Sequence, residues 1–412
     1  MWEIIMAPKA RIIKRRRTQN WGQLIRETNR YIDWLILLPA IILMILGTIM
    51  VYSASADMPT GSAFSYVFKQ GIFDITGLFG VLFLFHFKFR WQTRGAQWFI
   101  RLAMTASIFL MLVAFVFGQA INGAKGWILL GPVSLQPVEF FKISLILFLA
   151  YTSGKVMNED EAEALGVAGR RWPRIFMLIA IFGVFLDGIM PDMGGVGIIT
   201  MISITIILAA KWRPIFMIAS AGLLFLIYIL LPNLVNWFGL ENSGSYMVAR
   251  LIAYINPWEV ASSSGLQLIN SLYAISNGGI FGRGLGNSIQ KFGNLPEPNT
   301  DFIMAIVAEE LGMFTILIIL ALLYLMIFRL ITWGMRTKIM FYRLTLYGFA
   351  TYFFMQVLVN FGGVVGALPI TGVTFPFISY GGSSIWSLSI ALGIAMNIIK
   401  QIKHEEELGK EG

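Results

Sequence analysis

Apolar residues recur along this chain in long runs parted by short charged patches, each run of about 17 to 25 residues, the length a helix needs to cross the hydrocarbon of a bilayer. Hydrophobic residues make up 57% of the sequence and charged residues 13%, where a soluble domain carries about a quarter charged. The expected fold class is therefore an all-α integral membrane protein with about ten transmembrane helices.

The expected spans are 33–51, 71–87, 98–117, 138–153, 174–190, 196–210, 214–231, 302–329, 341–365 and 384–399. Threaded alternately through a membrane, they leave 25 of the 31 Lys and Arg residues on one side. That side is cytoplasmic by the positive-inside rule, and both termini lie there. The remaining cations are Lys69, Lys125, Lys142, Arg250, Arg283 and Lys291. The chain then reads as a basic cytoplasmic tail over 1–32, a polytopic membrane domain over 33–399 and a cytoplasmic tail over 400–412. Residues 232–301 form the one large extracytoplasmic loop, expected to be partly helical and to lie on or dip into the membrane. The polar stretch 1–30 resembles no cleavable leader, since the first apolar run is long enough to span and stay. The fifth and sixth spans are short and interrupted by Asp187, Pro191 and Asp192; a hairpin entering and leaving from the cytoplasm would preserve the same charge bias.

A net charge of +9 raises nucleic acid as a partner, but the cations sit beside helix ends, where lipid headgroups are. No nucleic acid is expected. The chain has no Cys and only His86 and His404, both at cytoplasmic helix ends. A catalytic site facing outward therefore has neither imidazole nor thiol, and its general base has to be a carboxylate.

Among the outward carboxylates, Asp301 stands where the long loop re-enters the membrane. Ala305, Ala308 and Gly312 fall beneath it on one helical face. Two roles are open: a base above a cleft floored by small residues, or a helix cap above a close-packing strip. Glu139 and Lys142, three residues apart, share a face near the outer end of the fourth span; they line a cavity or neutralise each other. Glu309 and Glu310 pose the same choice two turns into the eighth span. Trp127 in an outer loop reads as an interfacial anchor or a sugar-stacking platform. The Gly381-Gly-Ser383-Ser384 stretch opens the last helix, either as an ordinary cap or with amides free for phosphate oxygens.

Several segments together resemble one family. They are Asn122-Gly-Ala-Lys-Gly-Trp127, Gln136-Pro-Val-Glu-Phe-Phe-Lys142, Pro191-Asp-Met-Gly194 and Asn270-Ser-Leu-Tyr-Ala274. The series continues with Gly278-Gly-Ile-Phe-Gly-Arg-Gly-Leu-Gly-Asn-Ser-Ile-Gln-Lys291, Leu295-Pro-Glu-Pro-Asn-Thr-Asp-Phe302 and Ala308-Glu-Glu-Leu-Gly312. It closes with Leu368-Pro-Ile-Thr-Gly372 and Pro376-Phe-Ile-Ser-Tyr-Gly-Gly-Ser-Ser384. In this order they resemble the SEDS (shape, elongation, division, sporulation) peptidoglycan glycosyltransferases, and the division member FtsW more than the elongation member RodA. Asn299 stands where that family commonly has His, Leu266 where Tyr often precedes Gln267, and Gly126 where a basic residue often precedes Trp127.

The resemblance implies a multi-pass protein of the bacterial cytoplasmic membrane, acting at the division septum. It implies lipid II as donor and acceptor, and a class B penicillin-binding protein as transpeptidase partner beside other division proteins. It places the catalytic aspartate on Asp301 and an important tryptophan on Trp127. Substrate contacts are expected from Trp127, Glu139, Lys142, Arg250, Gln267, Lys291, Glu297, Ser383 and Ser384, with Lys142 and Arg250 toward the diphosphate. A divalent cation (Mg or Mn) is an optional helper with no legible ligands, and no organic cofactor is expected. The rival readings are a lipid II flippase, which moves labelled lipid across vesicles without glycan growth, an elongation-type polymerase, and a non-catalytic septal scaffold.

Overall fold

The structure is a computed structural model that describes residues 29–56, 62–87, 93–121, 124–131, 133–156, 172–210 and 246–408. The helices are α1 (Trp34–Ala54), α2 (Ala63–His86), α3 (Arg94–Phe117), α4 (Pro137–Val156), α5 (Trp172–Ile189), α6 (Met193–Ala209), α7 (Tyr246–Ile255), α8 (Leu266–Gly278), α9 (Ile303–Arg336), α10 (Met340–Val364) and α11 (Gly382–Leu408). Between α3 and α4 lie three short antiparallel strands, β1 (Gln119–Ile121), β2 (Ala124–Leu130) and β3 (Val133–Leu135), in that order across the sheet. Hydropathy gave no sign of this sheet, because β1 and β3 are three residues each and the seven residues of β2 do not alternate apolar with polar.

Nine of the ten expected spans coincide with helices α1–α6 and α9–α11; the seventh, 214–231, lies outside the described residues, as does the tail over 1–28. Six of the described helices are long and apolar enough to cross a membrane, and α6 is a shorter apolar one. α5 and α6 pack against each other as a pair. Burial sorts the bundle into layers. α10 and α11 are enclosed on most of their surface, whereas α2 and α3 turn bulky residues such as Phe79, Phe83, Phe109 and Phe117 outward. In a bilayer that outward apolar surface faces lipid, which is as apolar as the core.

At the end of the bundle where α1 begins, the buried Asp33 carboxylate accepts from Arg329 Nε (3.1 Å) and Trp333 Nε1 (2.7 Å), with Lys403 Nζ 3.6 Å away. This ties the start of α1 to α9 and α11. At the opposite end the described part of the 232–301 loop carries α7 and α8, so this part of it is partly helical. The segment after α8 then descends beside α9. Gly312 interrupts α9 with φ 79°, ψ 174°, a conformation that costs a side-chain-bearing residue and that glycine adopts freely. Across the break, Arg283 and Gly284 amides donate to the Glu309 and Glu310 carbonyls (2.9 Å each), and Met313 and Phe314 amides donate to Gly279 and Ile280. The backbone groups freed by the kink are thus paired with the loop, as irregular backbone at membrane depth requires.

The same junction decides two of the open readings. Ala308 and its neighbours serve close packing: a methyl on Gly278 would sit 1.9 Å from the Ala308 carbonyl oxygen. Glu309 and Glu310 are fully buried and structural. Glu310 accepts from Lys291 Nζ (2.8 Å), Ser53 Oγ and the Gly286 amide, while Glu309 accepts from Ser288 Oγ, the Gln290 amide and Asn277.

Candidate active site

Asp301 does not cap α9. The residue in the cap position is Phe302, and no side chain caps the helix there. Asp301 instead ends the Leu295–Thr300 turn, which curls over Glu297: the Thr300 and Phe302 amides both donate to the Glu297 carbonyl, and Thr300 Oγ1 to its carboxylate. Glu297 itself sits at φ 52°, a left-handed position that a non-glycine residue holds only when its surroundings fix it. Those surroundings are the 366–381 loop and α10. Asn360, in the apolar run of α10, donates to the carbonyls of Asp301 (2.8 Å) and Val373 (2.7 Å), Ser379 Oγ donates to the Thr300 carbonyl (2.7 Å), and the Tyr380 amide donates to the Asn299 carbonyl (2.9 Å). Two irregular loops are thereby sewn into one rigid rim.

Under that rim lies a cavity of about 290 Å³. It brings together Trp127, Glu139, Lys142, Arg250, Glu297, Asp301, Ser383 and Ser384, eight of the ten residues singled out in the sequence. Trp127, carried on β2, lines this cavity, so the sheet has a use: it holds an aromatic ring over the site. Two expected contacts are not there. Gln267 sits half-buried on α8 and does not line the cavity. Lys291 is a correction: its ammonium is buried and spends its donors on Glu310, Ser53 and the Gly286 carbonyl, so it braces the loop against α9 rather than meeting a substrate.

Glu139 and Lys142 turn out to be both paired and cavity-lining. Their charged atoms are 2.7 Å apart, and the other Glu139 oxygen accepts from Tyr352 Oη (2.8 Å) and Ser387. Ser383 Oγ donates to the Ser134 carbonyl and accepts from the Gln136 amide, while Ser384 Oγ accepts from Gln356 and Thr374. Both hydroxyls are occupied by protein. What Gly381–Ser384 offers a ligand is its position at the start of α11, where first-turn amides lack helical acceptors.

The electrostatics centre on Asp301. Burial pushes its carboxyl up to about 7, the Arg250 guanidinium pulls it down, and Glu297 and Asp192 push it further up. Gly372, at φ 83°, separates the opposite charges: a methyl there would stand 3.4 Å from Asp301 Oδ2 and 3.5 Å from Arg250 Nη1. A carboxylate poised near neutrality on a cavity wall suits proton abstraction at physiological pH. Asp192 is likewise held above the usual carboxylate range, by burial first; it caps α6 through the Gly195 amide (2.8 Å) and accepts from Gln136. Sequence reasoning did not single out Asp192, Asn299 or Asn360 as site residues. An amide in the apolar run of α10 is the signal that could have found Asn360.

The comparisons agree with this architecture. A family model described as "Cell cycle protein", covering FtsW, RodA and SpoVE, matches residues 33–404. The chain is 36% identical over 384 residues to the probable peptidoglycan glycosyltransferase FtsW of Bacillus subtilis strain 168, covering 92% of this chain and 93% of that protein. It is 32% identical to the stage V sporulation protein E of the same strain, over 90% of this chain and 98% of that one. Among solved structures it matches a chain described under "Structural coordination of polymerization and crosslinking by a peptidoglycan synthase complex", with TM-score 0.67 and 26% identity, covering 90% of this chain and 98% of that one. The rod shape determining protein RodA of Thermus thermophilus matches with TM-score 0.59 and 25% identity, over 90% and 97% of the two chains.

Proposed function

Because the chain belongs to the FtsW, RodA and SpoVE family of cell cycle proteins, we propose that its cavity polymerises lipid II into glycan strands at the outer face of the cytoplasmic membrane, for septal wall synthesis. The activity in the names of its relatives is peptidoglycan glycosyl transfer. The observation that carries the mechanism is the half-buried Asp301 facing Arg250 across Gly372.

Asp301 accepts the proton of the acceptor's GlcNAc 4-hydroxyl as that oxygen forms a bond to the anomeric carbon of the donor. The bond from that carbon to the diphosphate oxygen breaks, and undecaprenyl diphosphate leaves with the electron pair. Charge builds on the departing diphosphate, so cations are needed on the donor side and a base on the acceptor side. Arg250 and Lys142 are the cations on the cavity wall. Trp127 offers an apolar face for a sugar ring, and the first-turn amides of α11 offer donors to phosphate oxygens.

A class B penicillin-binding protein as partner fits the kinship with a chain of a peptidoglycan synthase complex, and other division proteins and a septal location follow from the FtsW-like readings. The test is polymerisation of purified lipid II by the purified protein with its partner. Asp301→Asn, shown to fold, should lose glycan growth; growth at the normal rate would end the assignment. Movement of labelled lipid II across vesicles without growth by the wild type would favour the flippase instead.

A further inference from the structure

Behind the cavity floor, a second pair of carboxylates meets at Gly195. Asp187, on α5, is only 1% exposed, and its Oδ2 has no hydrogen-bond partner. A methyl on Gly195 would lie 2.2 Å from that oxygen and 2.9 Å from Asp192 Oδ2. The two oxygens therefore converge on one side of a glycine that itself lines the cavity, and any larger residue would drive them apart. The turn holds them there: the Asp192 amide donates to the Asp187 carbonyl (3.3 Å), and Asp192 Oδ1 is fixed by the Gly195 amide.

The charge around this pair is unbalanced. The cavity wall carries Glu139, Asp192, Glu297 and Asp301 against Lys142 and Arg250, and Asp187 adds a further carboxylate beneath. A lipid diphosphate brings at least two more negative charges, so its entry into a net anionic cavity needs positive charge that the side chains do not supply. Magnesium-type cations are held by one or two carboxylates together with substrate phosphates. Two carboxylates with an orphaned oxygen between them, at the floor of a diphosphate-sized cavity, match that requirement.

We propose that Asp187 and Asp192 hold a divalent cation, and that this cation bridges them to the diphosphate of the lipid-linked substrate. The bridging half rests on the reading of the cavity as a lipid II site; the metal-holding half does not. With the cation bound, the pair loses its mutual repulsion and the diphosphate gains a partner opposite Arg250.

The experiment is a Mn²⁺ titration of the full chain in detergent, followed by the loss of the free Mn²⁺ electron paramagnetic resonance signal, with no substrate present. The wild type should show one saturable site. Asp187→Asn, which keeps the side-chain shape, should weaken it tenfold or more, whereas Asp301→Asn should leave it unchanged. Gly195→Ala, which forces the two carboxylates apart without removing either, should weaken it as well and covers the case in which Asp187→Asn fails to fold. Adding undecaprenyl diphosphate should tighten Mn²⁺ binding by the wild type and not by Asp187→Asn. An isotherm unchanged in Asp187→Asn, or no saturable site in the wild type with or without the diphosphate, overturns the proposal and leaves a shared proton as the way the pair is neutralised. Saturable binding that Asp187→Asn removes but undecaprenyl diphosphate does not tighten overturns the bridge alone, independently of the outcome with Asp301→Asn in polymerisation.

Discussion

Replacing Arg250 by Gln should move the pH dependence of polymerisation toward alkaline pH. Burial pushes the Asp301 carboxyl of the wild type up to about 7, so its base form should rise roughly tenfold between pH 6 and pH 8, and kcat with it. Burial raises this carboxyl and the guanidinium lowers it; removing the guanidinium therefore raises it further. One point at Gly372 lies 3.4 Å from Asp301 Oδ2 and 3.5 Å from Arg250 Nη1, so the charges are no farther apart than these two distances together, and at such separations a pair of unit charges is worth about 1–3 kcal/mol for effective dielectrics between about 50 and 20. At 1.36 kcal/mol per pH unit, the limb should shift by about one to two units. At pH 7 a one-unit shift leaves about a fifth of the wild-type base form, and Arg250→Lys should restore most of it. The assay is initial glycan growth from saturating lipid II between pH 5.5 and 9.5, read as the position of the limb. Position matters more than amplitude, since Arg250 also faces the diphosphate and its loss lowers the rate at every pH. A limb that stays in place or moves to acid in Arg250→Gln would refute the electrostatic coupling, and a wild-type rate flat from pH 6 to 8 would refute Asp301 as the titrating base.

Lys291→Met strands the buried Glu310 carboxylate and should destabilise the protein by about 3–5 kcal/mol, read as a lower melting temperature in detergent; Glu310→Gln added to it should recover part of the loss. Gly372→Ala puts an L-residue at φ 83°, at a cost of about 1–2 kcal/mol, with its methyl against Asp301 and Arg250, so kcat should fall more than stability does. Trp127→Ala should raise the KM for lipid II several-fold while leaving the pH limb in place, because the ring lines the cavity and carries no charge to act on Asp301; a shifted limb would argue against a binding role.

The helices were legible because hydrophobic length is a one-dimensional signal. Nine expected spans needed only ends adjusted, by up to nine residues at the end of α11. The site was legible to the extent that chemistry was scarce: without imidazole or thiol on the outer side, few groups could act as a base, and Asp301 stood at the membrane boundary. Pairing was the part that sequence could not give. Lys291 and Arg250 look alike as outer-loop cations, yet Lys291 is consumed by Glu310, nineteen residues on, and only the kink at Gly312 brings those two together. Asp192 and Asn360 went unassigned because their partners, Gly195 aside, come from other helices and loops. The β-strands escaped because a three-residue strand is defined by its neighbour, not by its own pattern.

These pairings explain why the proposed catalytic carboxylate sits on irregular backbone at all. A carboxylate on a regular membrane helix is costly unless partners or a cavity receive it, and Glu309 and Glu310 are quenched by partners. A flexible loop would leave it solvated near its ordinary acidity. Asp301 escapes both fates because the turn around Glu297 is pinned from three sides, by Asn360, Ser379 and the Tyr380 amide. Its carboxyl is thereby dry enough to titrate near neutrality while still opening onto the cavity. The polar contacts of α10 and the 366–381 loop thus act on the proposed base through its environment, without any need to touch substrate.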